Sequence, residues 1–416
     1  FVLGLIFIVF GATRRENDTL YPSSVLRPGG IGLWDWAFGA LAVVAALYLP
    51  LLPANAVAVR VGNPSAFDVF MGTALIILTL EAARRSIGWT LTAIAVAFMC
   101  YGLFGQYMPG VFKHPGASWS ALVNHLYMTD QGIYGIAVGA VAKYVFLFVL
   151  FGVLATRIGL GKLFIDVASS IAGRYAGGPA KVAIFSSALL GTISGSSIAN
   201  TVTTGSLTIP AMKKVGYRPH FAGAVEATAS TGGQITPPIM GAAAFIMVEF
   251  LEIPYRDIVY AAMFPALLHY VGIFAMVHFE AKRLGLRGLR PDEMPQILKV
   301  ITDNWLAVIP LIILMALILT GRTPDFAAVW GITACVVVGF ITPHNRLTVK
   351  DLIDALSLGA KYALAVGAAA AVVGIVVGVV TLTGTAFRLS FIITQTAANL
   401  GTILTAMLPA GLVTVN

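Results

Sequence analysis

Between residues 191 and 205 the chain reads GTISGSSIANTVTTG, in which eight of fifteen positions are Ser, Thr or Asn and three are Gly. Ser194, Gly195, Ser196, Ser197 and Asn200 form its centre. Hydroxyls, a carboxamide and exposed carbonyls offer oxygen ligands to a hard cation, and the local amides can meet a carboxylate. The same residues also suit a purely structural role, because small side chains let helices pack closely and hydroxyls cap helix starts. A second cluster follows: Thr231, Gly232, Gly233 and Gln234, then Thr236, Pro237 and Pro238. Proline removes amide donors and disfavours helix before it, and glycine permits unusual dihedrals. A helix running through this cluster is expected to unwind. Freed carbonyls there can hold a cation, and half-helix N-termini favour anions. A proline kink without a ligand is the plainer alternative. Glu226 lies just upstream. Glu226, Ser230 and Gly233 share one helix face, at i, i+4 and i+7. An intramembrane carboxylate is a functional candidate by default, here as a carrier of a coupling proton or as a member of a polar network.

These clusters sit in a chain of 416 residues, 58% hydrophobic and 11% charged, with mean hydropathy +0.89. Soluble domains carry about 25% charged residues. The apolar runs are long enough for transmembrane helices and lack the alternation of barrel strands. The fold class is therefore an all-α polytopic membrane protein in a lipid bilayer. The net charge of +8 gives no case for nucleic acid, because the basic residues fall in short loops between spans. Cys100 and Cys335 lie in apolar runs and form no disulfide framework. The chain has no Walker sequence, HExxH or CxxC, so neither ATP hydrolysis nor another enzyme activity is expected.

Candidate spans fall at 1–10 (partial), 32–53, 67–83, 88–106, 134–156, 220–251, 258–280, 304–321, 326–342 and 356–382, with a last apolar stretch from 386. Basic residues alternate between the connecting loops. Loop 11–31 has Arg14, Arg15 and Arg27, whereas 54–66 has only Arg60. Loop 84–87 has Arg84 and Arg85, 107–133 only Lys113, and 157–181 has Arg157, Lys162, Arg174 and Lys181. The basic loops are then cytoplasmic. A single crossing by 182–212 would put Lys213, Lys214 and Arg218 outside, and later the cluster Lys282, Arg283, Arg287, Arg290 and Lys299 as well. The rule holds throughout only if 182–212 enters and returns to the same face. Its arms, 182–193 and 198–212, are each shorter than the roughly 20 residues that span a bilayer. The reading is a re-entrant hairpin with SGSS at its tip, opposite a helix over 220–251 broken at its middle. Irregular backbone at that depth must be buried in protein or line a cavity, and interrupted helices near the midplane are where secondary transporters bind. Lys143, inside the span 134–156, offers charge to an acidic substrate, pairs with Glu226, or snorkels. Lys361 reads as snorkelling and His220 as an interfacial anchor.

The run GTISGSSIANTVTTGSLTIPAMKKVGYRPHFAGAVEATASTGGQITPPIMGAAAFIM resembles the signature region of the tripartite ATP-independent periplasmic (TRAP) transporters. Its form is most similar to the TAXI subgroup, in which small and large membrane subunits are fused. The resemblance is dense from about 134 to 290, and WDWAFGALAVVAALYLPLL and EAARRSIGW resemble the small subunit and its junction. It implies an elevator-type secondary importer of the bacterial inner membrane. Such an importer takes an organic acid from a periplasmic substrate-binding protein and is driven by a cation gradient, sodium ahead of proton. Sodium would be held at Ser196, Asn200, Gly233 and Thr236. Residues 1–125 would be the small-subunit-like scaffold and junction, 126–300 the first repeat, and 301–416 part of a second, inverted repeat. No second Ser/Thr/Gly hairpin tip follows before LTAMLPAGLVTVN, so the expectation is an incomplete second repeat in a chain truncated at both ends. Two further readings stay open at this point: a non-transporting membrane scaffold or remnant, and an ion channel.

Overall fold

The structure is a computed structural model and describes residues 2–10, 31–290, 293–342 and 346–407, with side chains as far as residue 396. All regular elements among them are helical. In chain order they are α1 (Val2–Val9), α2 (Leu33–Leu51), α3 (Ala54–Arg60), α4 (Ala66–Ser86), α5 (Trp89–Phe104) and α6 (Trp119–Met128). Then α7 (Ile136–Ala140) and α8 (Phe146–Arg157) are joined by a π turn, Val141–Val145. α9 (Leu160–Ala172), α10 (Gly178–Ser194), α11 (Ser197–Val215), α12 (Pro219–Gly232), α13 (Ala242–Leu251) and α14 (Tyr255–Arg283) follow. The chain continues through α15 (Ile297–Asn304), α16 (Ile309–Leu319), α17 (Pro324–Ile341), α18 (Val349–Thr383) and α19 (Thr385–Met407). Among the described residues, eight helical segments are long and apolar enough to cross a membrane. The hairpin arms α10 and α11 are not among them.

The sequence reading and the structure differ in places. The segments 107–133 and 157–181, expected as loops, contain α6 and α9. Both are too short to span, and α9 is amphipathic, burying Leu160, Leu163, Phe164, Ala168 and Ala172. The hairpin arms run 178–194 and 197–215, several residues longer at their outer ends than expected. The span expected at 304–321 starts at Ile297, because a 3-10 turn at Trp305–Val308 joins α15 to α16 without ending the helical run. The basic residues Arg14, Arg15 and Arg27 lie outside the described residues, as does the chain end beyond residue 407.

The chain forms two compact units, Phe1–Val138 with Gly367–Asn416, and Gly139–Val366. In the first, Pro50 inside α2 cannot donate to the carbonyl four residues back. Tyr134 supplies the missing donor, its hydroxyl meeting the Ala46 carbonyl at 3.0 Å, and Tyr127 donates to Ala45 at 2.7 Å. Arg85 at the end of α4 is bound at 2.6 Å by Asp35 and at 2.6 Å by Glu81. The second unit packs α10, α11, α12 and α14 around Ala180, Ala183, Ala222, Ala229 and Ala281, all fully buried. Small residues there let the helix backbones approach, which brings the hairpin and the broken helix within side-chain reach.

Candidate functional site

The hairpin turns on two residues. α10 stops at Ser194, and Gly195 takes a left-handed conformation, φ +57°. A Cβ on Gly195 would stand 2.0 Å from the Met240 carbonyl oxygen, so only glycine fits both the dihedral and the space. Ser196 then caps α11, its hydroxyl accepting from the Ala199 amide at 3.3 Å. Asn200 ties the arms together, its side-chain amide donating to the Ser187 carbonyl at 2.9 Å.

The facing helix breaks where the Gly and Pro residues stand. α12 ends at Gly232 and α13 resumes at Ala242. Two contacts lock the unwound segment to the hairpin. Gly191 and Gly233 meet backbone to backbone: a methyl on Gly191 would lie 2.5 Å from the Gly233 Cα. Gln234 donates through Nε2 to the Ser197 hydroxyl at 3.0 Å. Thr236 instead faces α14, its hydroxyl 2.7 Å from the Gly232 carbonyl and 3.0 Å from the Tyr270 hydroxyl. Thr231 is exposed and bonds back to the Ala227 carbonyl.

Below this junction lies Glu226, fully buried on α12. Its Oε1 accepts from Ser187 of α10 at 3.1 Å and from Ser230 at 3.0 Å. Thr204 of α11 also bonds Oε1, and Thr208 bonds Oε2. Both arms and the broken helix thus share one carboxyl group. Among the described residues no cation pairs with it. Lys143 lies instead beside Glu249 of α13, at 3.4 Å, so the pairing of Lys143 with Glu226 weighed from the sequence does not occur. The cause is the π turn that carries Lys143, which sets its exposed side chain against α13.

The structure therefore gathers Gly195, Ser196, Ser197, Asn200, Gly233 and Gln234 at one junction, with Glu226 beneath them. Gly232 and Thr236 sit on the α14 side, Pro237 lies within the unwound segment between α12 and α13, and Thr231 points away. Sequence reasoning missed Ser187, Thr204 and Thr208. The last two carried a signal: Asn200, Thr204 and Thr208 recur every four residues along one face of α11. It also missed Tyr255 and Tyr270, whose hydroxyls reach the break from α14 and which nothing in the local sequence connects to it.

Two buried oxygens test whether a cation suits the place. The Asn200 Oδ1 and the Ser194 hydroxyl have no hydrogen-bond partner among the described residues. A buried acceptor without a partner costs about 1–3 kcal/mol, and a hard cation takes oxygen ligands of this kind. The Asn200 carboxamide borders Gly233, whose Cβ, if present, would be 3.1 Å from Asn200 Nδ2. Two surface cavities of the same unit lie elsewhere. One, of about 460 Å³, lies along α17 by Asp325 and Trp330, and an apolar one of about 450 Å³ is bounded by Phe164, Leu189 and Trp305.

Comparison with known proteins bears on most of the chain. Residues 74–414 match the family described as "Tripartite ATP-independent periplasmic transporter, DctM component". The chain is 23% identical over 378 residues to the sialic acid TRAP transporter permease protein SiaT of Haemophilus influenzae, covering 85% of this chain and 59% of that protein. It is 27% identical over 210 residues to the sialic acid TRAP transporter large permease protein SiaM of Vibrio cholerae, covering 50% and 48%. To the C4-dicarboxylate TRAP transporter large permease protein DctM of Pseudomonas aeruginosa it is 27% identical over 214 residues, covering 48% and 47%. The chain thus spans about half the length of the curated relatives it matches.

Proposed function

The chain belongs to the DctM component family of the TRAP transporters, and on that premise we propose that it serves as the membrane permease of a secondary active importer. It is a multi-pass membrane protein. The solute is an organic acid handed over by a periplasmic substrate-binding protein at the bacterial inner membrane, and a cation gradient, sodium first, drives uptake. The observation that carries this reading is the junction of a helical hairpin with a broken helix, where Asn200 Oδ1 and the Ser194 hydroxyl are buried without a partner among the described residues. These two oxygens, with the Ser196 hydroxyl and the Gly233 backbone, would hold the ion. Sodium supplies charge compensation for an anionic solute. Glu226 ties both hairpin arms to α12, so the oxygens of the tip and of the break are positioned together.

The finer expectations rest on the resemblance and extend this reading. The N-terminal part acts as a fused small-subunit scaffold of the TAXI type, and the hairpin and broken helix travel together in an elevator motion. The test is uptake into proteoliposomes holding the full native permease, with the soluble receptor and a radiolabelled C4-dicarboxylate or sialic acid. A sodium gradient, a proton gradient and no gradient are compared. Receptor-dependent, saturable uptake under the sodium gradient is expected. Uptake under a proton gradient alone would move the coupling to Glu226. Single-channel currents would overturn the transporter reading, and no flux under any gradient would favour the scaffold.

A further inference from the structure

The unwound segment 233–241 has carbonyls that no helix serves. Pro237 and Pro238 bring no amide donors. Within the segment the Gly241 amide serves the Gln234 carbonyl at 2.7 Å. The carbonyls of Pro238 and Ile239 are both met by one side chain, the Tyr255 hydroxyl, at 2.7 Å each. A phenol has one proton, so Tyr255 shares it between two buried acceptors. Its ring is held as tightly as its hydroxyl, stacked on Phe245 of α13 at 4.8 Å and 5° and lying 6.3 Å from Phe148 of α8. Tyr255 is 4% exposed.

Tyr270 grips the other side of the break. The Thr236 hydroxyl lies 2.7 Å from the Gly232 carbonyl, which can only accept, so the single Thr236 proton goes there. The Tyr270 hydroxyl, 3.0 Å from the same Thr236 oxygen, must then be the donor. The chain of bonds runs one way, from Tyr270 to Thr236 to Gly232. A Cβ on Gly232 would fall 2.5 Å from the His269 ring and 2.9 Å from the Tyr270 ring, so α14 packs directly on the end of α12. The two tyrosines reach the break from the first residue and from the middle of one helix, α14.

We propose that Tyr255 and Tyr270 are positioning residues that hold segment 233–241 in the shape that meets the hairpin tip, and so set the affinity of the junction for its cation. Resting on the cation-site reading above, this assigns to α14 the role of fixing where the carbonyls of the break point. Met240, at φ +58°, turns its carbonyl onto Gly195 as a consequence, and Gln234 reaches Ser197. The prolines disrupt the helix, whereas the phenols give the unwound chain one conformation.

The experiment uses the purified full permease in nanodiscs, as wild type, Tyr255→Phe, Tyr270→Phe and Tyr217→Phe. Tyr217 is the control, because its buried hydroxyl has no partner among the described residues. Amide exchange is read at 233–241 and at 219–230. Sodium binding is read as the Tm shift with NaCl against choline chloride at constant ionic strength. Losing a bond of this kind predicts about tenfold faster exchange at 239–241 in Tyr255→Phe, with 219–230 unchanged. The sodium concentration at which Tm begins to rise is expected to increase about tenfold while the slope of Tm against log sodium above it is kept, a split that general destabilisation would not give. Tyr270→Phe is expected to act in the same direction at 233–236, and it decides the matter should Tyr255→Phe not fold. Unchanged exchange at 233–241 in both variants would overturn the proposal, as would faster exchange with an unaltered sodium onset concentration. If wild type itself ignores sodium, the sodium reading fails and the exchange data alone decide the brace.

Discussion

Replacing Glu226 by leucine removes the one group that both hairpin arms and the broken helix share. The cost can be worked out bond by bond. Thr204 and Thr208 lie 2.8 and 3.0 Å from the carbonyls of Asn200 and Thr204, and each can turn its hydroxyl there once the carboxyl is gone. Ser187 can turn to the Thr204 hydroxyl at 3.2 Å. Ser230 is left with Ser187 alone, 3.5 Å away and at the limit of a hydrogen bond. One buried hydroxyl is therefore stranded, at about 2 kcal/mol. For a unit of this size that lowers Tm by roughly 4–8 °C. Glu226→Gln keeps one acceptor oxygen for Oε1's partners and loses about 1 kcal/mol, or roughly 2–4 °C. The assay is scanning fluorimetry of the purified permease in one detergent, with all variants side by side. A leucine variant melting within about 1 °C of wild type, or a glutamine variant as unstable as leucine, would refute the argument that the carboxyl is the structural hub.

Further outcomes follow from the same geometry. Asn200→Ala removes an unpartnered oxygen and should weaken the sodium dependence of uptake while receptor binding is kept; Ser196→Ala also loses a helix cap, at about 1 kcal/mol, and unchanged sodium dependence in both would take the tip out of the site. Gly195→Ala places a methyl 2.0 Å from the Met240 oxygen at a positive φ, so it should abolish uptake while the protein still reaches the membrane, as quantitative blotting would show. Arg85→Ala removes a guanidinium 5% exposed that binds both Asp35 and Glu81, whereas the Arg84 side chain is 31% exposed; Arg84→Ala should cost under about 1 kcal/mol and Arg85→Ala more, read as the larger Tm drop. Gly191→Ala and Glu226→Leu should be non-additive in a double-mutant cycle by more than about 0.5 kcal/mol, and additivity would show two independent attachments.

Much of this organisation was legible in the sequence because it was written in extreme residue types. SGSS between apolar arms marks a turn that lipid cannot solvate, and the Gly-Gly and Pro-Pro pairs mark a helix that cannot continue. Both lie where expected, with the arms ending at Ser194 and Ser197 and the helix stopping at Gly232. What escaped notice was set by tertiary contact. α6 and α9 are short helices with one apolar face, invisible to a search for long apolar runs. The partners of Glu226 come from three helices, and only their four-residue period on α11 hinted at them. Tyr255 and Tyr270 look like ordinary residues of an apolar span. Their importance comes from which carbonyls stand opposite, and that depends on how the break folds.

The junction is held by glycine contacts and by hydroxyls around one carboxyl, with no ion pair among the described residues. A buried ion pair would need both charges desolvated, a cost its mutual attraction often fails to repay. Hydroxyls and phenols donate one proton each and can redirect it to a backbone carbonyl when their partner leaves. The hairpin meets the broken helix at two levels, through glycine contacts at Gly191, Gly195 and Gly233 and through the hydroxyls around Glu226. Seven residues of helix, about 10 Å, separate Glu226 from Gly233. One attachment alone would let the hairpin pivot about it. Two at that spacing remove the pivot, so a shift of the tip must carry α12 with it. The glycine contacts leave no room for a side chain, so neither attachment can be altered at these positions without parting the hairpin from α12.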